Sequence, residues 1–82
     1  MSYDKVEQAK KTIIGTKQTV KAIHAGIVTE VIIARDAEER IVAPVREEAA
    51  LHNVQVTHVD SREKLGYACG IQVSAAVVAI TG

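Results

Sequence analysis

Two apolar stretches, the unbroken Val31-Ile32-Ile33-Ala34 and the run from Val73 to Ile80 with only Ser74 polar, most constrain what this chain can fold into. A strand with one wet face alternates apolar and polar residues, whereas a strand without alternation needs cover on both faces. Both stretches have strand length and are rich in Val, Ile and Ala, so each predicts a strand lying between two layers of other structure. Between and around them the pattern switches to helical spacing. The chain therefore predicts helices on both faces of a small sheet.

The remaining elements follow from local chemistry. Ser2 is suited to cap a short first helix with Tyr3, Val6 and Ala9 on one face, closed by Lys10 and Lys11. Thr12-Ile13-Ile14 is a β-branched strand. Gly15 then permits a sharp turn into a helix capped by Thr16, with Val20, Ile23 and Ile27 on its apolar side and Gly26 at its C-terminal cap. After Val31–Ala34, residues 35–40 form a polar loop or a single turn. Pro44 fits the first position of a helix that turns Val45 and Ala49 inward and ends at Asn53, while Leu51 falls off that face. Val54, Val56 and Val59 mark a third strand. Asp60 and Glu63 have capping-box spacing for a fourth helix ending at Gly70, before a last strand from Val73 to Ile80.

Length allows one domain, residues 1–82, with a single small core. Without Trp or Phe, that core must come from Val, Ile, Leu and Ala. The formal charge is zero but unevenly spread. Residues 1–24 carry five lysines against Asp4 and Glu7, residues 25–63 carry an acidic excess, and residues 65–82 carry no charge. A basic N-terminal surface beside a neutral C-terminal segment is one footprint of an anionic partner.

Other chemistries find less support. Cys69 is the lone cysteine, so no internal disulfide forms, and no base adjoins it in sequence. His24, His52 and His58 show neither a helical i, i+4 histidine pair nor partner cysteines, so no metal or cofactor is expected. The acids between Glu38 and Glu48 suit a solvated helix face better than a catalytic pair. No signal peptide or membrane span is legible, and the expectation is a cytoplasmic, monomeric, non-enzymatic protein.

Two segments stand out instead. Gly15-Thr16-Lys17-Gln18-Thr19-Val20-Lys21 joins a strand end to a helix start, with free backbone N–H groups and two lysines at one spot, which suits an anion. It lacks both the P-loop and the dinucleotide glycine spacing. Gly70-Ile71-Gln72-Val73 places apolar side chains just after a helix end, either as the start of a strand or as a binding loop.

Gly15 to Ala22, together with Leu65-Gly66-x-Ala68-x-Gly70-Ile71-x-Val73-x-Ala75-Ala76 and the terminal Val77-Val78-Ala79-Ile80, resembles the kink-turn-binding ribosomal protein family, the short bacterial members above all. The resemblance covers essentially the whole chain. It implies a three-layer α/β/α sandwich with a mixed four-stranded sheet in the order one-four-two-three. It implies an RNA-binding role in which the start of the second helix reads tandem sheared G·A pairs, while the loop before the last strand covers an extruded base. By position the first set would be Gly15, Thr16, Lys17, Gln18 and Lys21. The second would be Ile71, Gln72 and Val73, with Ser74 at its edge.

The chemistry agrees, since regular RNA closes its major groove to side chains and a kink opens it. The family commonly has Asn-Glu where this chain has Lys17-Gln18, a departure that bears on the strength and strictness of recognition. The partner expected is kink-turn RNA, inside or outside the ribosome. The alternative is a ribosome- or protein-associated scaffold of the same fold with weak RNA affinity.

Overall fold

The computed structural model describes residues 3–81, so the cap expected from Ser2 lies outside the described residues. The elements run α1 (Tyr3–Gln8), β1 (Lys11–Ile14), α2 (Thr16–His24), β2 (Val28–Ala34), α3 (Glu39–Leu51), β3 (Gln55–Val59), α4 (Arg62–Ala68) and β4 (Val77–Thr81). The sheet order is β1-β4-β2-β3, with β4 antiparallel to both neighbours and β2 parallel to β3. This is the mixed sheet of a three-layer α/β/α sandwich.

Alternation along the central strands builds two buried clusters, one on each face of the sheet, where length alone predicts a single core. On β2, Ile32 and Ala34 face one side with Val6, Leu65 and Ala75, beneath α1 and α4. Val31 and Ile33 face the other side with Ile23, Val42, Val45 and Ala49, beneath α2 and α3. Val78 and Val77 divide in the same way on β4. All four residues Val31–Ala34 are at most 1% exposed, so the apolar run is covered on both faces. Among the described residues no helix is long and apolar enough to cross a membrane.

Helices α2, α3 and α4 end in the same way. Gly26, Asn53 and Gly70 take left-handed φ values of 74°, 56° and 80°. In each case the next residue's N–H reaches back to the helix, Ile27 to Ala22 O, Val54 to Ala49 O and Ile71 to Gly66 O. These paired backbone bonds satisfy carbonyls that a helix end leaves orphaned. The three stops match the sequence expectation.

The starts and faces required correction. Thr16 is not the cap of α2 but its first helical residue, because Gly15, at a positive φ of 110°, takes the cap position. The buried face of α2 is Thr19, Ala22 and Ile23, with Val20 half-buried and Ile27 51% exposed, since α2 ends at His24 and Ile27 lies beyond it. Helix α3 begins at Glu39, five residues before Pro44. The proline is tolerated because the carbonyl left without its N–H belongs to Arg40 in the first turn, and Val42 extends the buried stripe of Val45 and Ala49. Leu51 is 76% exposed, as its position off that stripe requires.

Ser61, not Asp60, caps α4, its hydroxyl accepting from Lys64 N. Asp60 instead accepts a hydrogen bond from Tyr3 Oη, whose oxygen accepts from Ser61 N at 3.1 Å, so α1 is tied to the start of α4. Lys11 opens β1 rather than closing α1. The last strand begins at Val77, not Val73, and residues 70–76 form a loop.

Candidate nucleic-acid interface

Antiparallel pairing sets the end of β1 beside the start of β4, with Ile14 opposite Val78. The next residue outward closes the join, as Gly15 N donates to Val77 O at 3.0 Å. The segment entering α2 and the loop leading into β4 therefore share one rim of the sheet, although some fifty residues separate them in sequence. The C-terminal ends of β2 and β3 reach the same rim, since Ile33 lies opposite both Val77 and His58.

At the α2 side, Gly15 has φ 110° and ψ 154°, a conformation essentially confined to glycine. No side chain caps the helix. Its first N–H groups keep their free donor capacity and the positive end of the helix dipole faces outward. Lys17, Gln18 and Lys21 are exposed along the first turns, and Thr16 is half-buried. A cleft of 440 Å³ beside them is lined by Thr16, Lys17, Val20, Lys21 and Pro44. Val20 and Pro44, one displaced from the expected apolar face and the other from the expected helix start, thus give the lysines an apolar neighbour. A second cleft of 330 Å³ lies on α3 and is lined by Glu39, Glu47, Arg46 and two alanines, a poorer match for phosphate.

On the loop side, Gly66 packs so closely under the loop that a β-carbon there would overlap the Val73 carbonyl oxygen and stand 3.3 Å from Ser74 Cα. Ala75 N donates to Arg62 O at 3.0 Å and Ala34 N to Ala76 O at 2.9 Å, so both edges of the loop are anchored. The candidates here divide. Ile71 is half-buried and packs on the core beneath α4, whereas Gln72, Val73 and Ser74 are exposed, Val73 by 68%.

Charges at the rim are balanced unequally. Asp36 pairs with Arg62 at 3.5 Å, Glu38 with Arg40 at 2.8 Å and Asp60 with Lys64 at 3.5 Å. The Tyr3 hydroxyl bond, ahead of Lys64, holds the Asp60 carboxyl below its ordinary range. Among the described residues Lys17, Lys21 and Arg35 have no carboxylate partner in these pairs. Arg35 follows β2 and is exposed, a rim cation that one-dimensional reading placed in an undifferentiated loop. His58 is lowered by burial and then by Arg46 and Arg35, and burial pushes the Cys69 thiol up. Neither shift favours a nucleophile at Cys69.

Comparison with known proteins gives the family of the chain. The sequence profile described as the ribosomal protein L7Ae/L30e/S12e/Gadd45 family matches residues 2–82. The chain is 59% identical over 80 residues to RNA-binding protein GWCH70_0105 of Geobacillus sp. (strain WCH70), covering 98% of each chain. It is 58% identical over 80 residues to RNA-binding protein YbxF of Geobacillus stearothermophilus, again covering 98% of each. Among solved structures, the Giardia lamblia 15.5kD RNA binding protein superposes with a TM-score of 0.88 at 27% identity, covering 98% of this chain and 70% of that one.

Proposed function

The chain belongs to the ribosomal protein L7Ae/L30e/S12e/Gadd45 family, and we propose that it is a non-catalytic RNA-binding protein that recognises a kink-turn. The observation that carries this reading is the β1–β4 join, which sets an uncapped helix start and its lysines beside an exposed apolar loop. A sharply bent RNA offers the matching pair of features. Crowded phosphates and opened base edges meet Lys17, Lys21, Gln18 and the α2 N–H groups, and an unstacked base meets Val73 with Gln72 beside it. Ile71 holds the loop from below. Arg35 extends the cationic rim toward a flanking phosphate.

Binding stabilises bent over extended RNA only by the difference in affinity for the two shapes. A gel-shift comparing a kink-turn with the same RNA disabled by base substitution tests the reading. Preference for the kinked form is expected. Equal, weak binding to both would favour the second reading, a scaffold of the same fold, which the exposed Lys17-Gln18 pair in place of Asn-Glu makes a specific alternative. In either case the protein is expected to be monomeric and cytoplasmic.

A further inference from the structure

We propose that His24, Glu48 and His52 form a binding site for a first-row divalent metal ion of the zinc(II) type. His24 is the last residue of α2, Glu48 lies in the last turn of α3, and His52 is the C-terminal cap of α3. Their donor atoms all lie within 4.8 Å of one another. His24 Nε2 is 2.9 Å and His52 Nε2 is 3.6 Å from the same carboxylate oxygen, Glu48 Oε2. Ligand atoms about 2.1 Å from a tetrahedral ion stand about 3.4 Å apart, so these separations bracket the required geometry. The two rings lie side by side, with centroids 5.6 Å apart and planes tilted by 46°.

The surroundings favour a cation. Both α2 and α3 start at the rim and run away from it, so their C-terminal ends, the negative ends of their dipoles, converge where these side chains meet. Glu48 is the least exposed of the three, at 24%, and it provides the charge that both imidazoles face. Two imidazoles and one carboxylate are a donor set for zinc, with a remaining position open to water. Each ring would coordinate through its Nε2 lone pair, so the proton that His24 Nε2 shares with Glu48 moves to Nδ1, or to solvent from a doubly protonated ring, as the metal binds.

The site lies at the far end of α2 from Thr16 and Lys17, about 12 Å along the helix at 1.5 Å per residue. Bound metal would staple α2 to α3 and leave the rim free. The inference is independent of the RNA reading.

The test is titration of untagged protein with Zn²⁺ by calorimetry at about pH 7.5, with melting temperature followed in parallel. One equivalent is expected to bind and to raise the melting temperature. His24→Ala and His52→Ala should each weaken binding by at least roughly tenfold and abolish the thermal gain. Both histidines are exposed, so these variants should fold, and Cys69→Ser should bind as the wild type does. Co²⁺ should give visible bands that the histidine variants lack. Equal Zn²⁺ binding by wild type and both histidine variants, or no saturable binding to the wild type, overturns the site.

Discussion

At the start of α2, Gly15 holds a φ of 110° with open space where a β-carbon would stand, whereas Gly66 occupies an ordinary helical position with the Val73 backbone pressed against it. The first glycine is required by its own dihedral angles and the second by its neighbour's volume. The two halves of the candidate interface are therefore positioned by different physics. The cationic half depends on a local backbone conformation, and the apolar half on close packing between α4 and the loop. A substitution at one glycine should disturb its own half first, and this separates the two contributions to binding.

The largest effect is expected from Gly66→Ala. Its β-carbon meets backbone, which cannot move aside as a side-chain end could, so the loop or α4 must shift. The expected loss of stability is on the order of 3 kcal/mol. Denaturant unfolding checks it, and a loss below about 1 kcal/mol would show that the loop is loosely held. Where the variant still folds, binding to kinked RNA should weaken more at fixed salt than its salt dependence changes.

Gly15→Ala should cost less, about 1–3 kcal/mol, because it strains the backbone without a clash. It should also turn the α2 N–H groups away from the ligand. An unchanged melting temperature would show that the chain relaxes Gly15 to an ordinary conformation. The comparison between the two glycines would then fail.

Lys21→Ala tests the cationic half without touching the fold, since Lys21 is exposed. Affinity for all kinked RNAs should fall by about 1.5 kcal/mol, and the slope of log affinity against log salt by about 0.9. Val73→Ala is the matching change in the apolar half and should weaken binding with the slope intact. If both variants alter the slope equally, the division of labour is wrong.

The smallest effect is expected from Gln18→Glu, which adds a charge-assisted contact to a guanine edge while bringing negative charge toward phosphate. These oppose each other in total affinity. Discrimination against a kink-turn whose G·A guanine is replaced should still rise, by about 1 kcal/mol if the contact is aligned. Gln18→Ala should lower it. Titration of the three proteins at one salt concentration gives the ratios, and identical ratios would leave Gln18 without a role in reading the base.

Much of the architecture was legible along the chain because its determinants are local. The unbroken run Val31–Ala34 requires two covered faces wherever it lies, and Gly26, Asn53 and Gly70 stop helices through their own left-handed φ. Gly15 and the lysines after it likewise mark a helix start from adjacent residues alone. Boundaries set by remote partners were not legible. Pro44 lies inside α3 because Val42 finds a place in the core beneath that helix, and Asp60 leaves its expected capping position for the Tyr3 hydroxyl.

The same distinction governs the sites. One-dimensional reading nominated Lys17 and Val73, but only the antiparallel β1–β4 register sets their segments on one rim, because pairing energy is shared between strands far apart in sequence. It also separated the exposed Val73 from the half-buried Ile71, which alternation alone cannot do in an irregular loop. Along the chain His24 and His52 were set aside as metal ligands because no helical spacing joins the two histidines, and Glu48 was assigned to a solvated helix face. Two helices leaving the same rim in the same direction bring them together, and that direction belongs to the topology of the sheet.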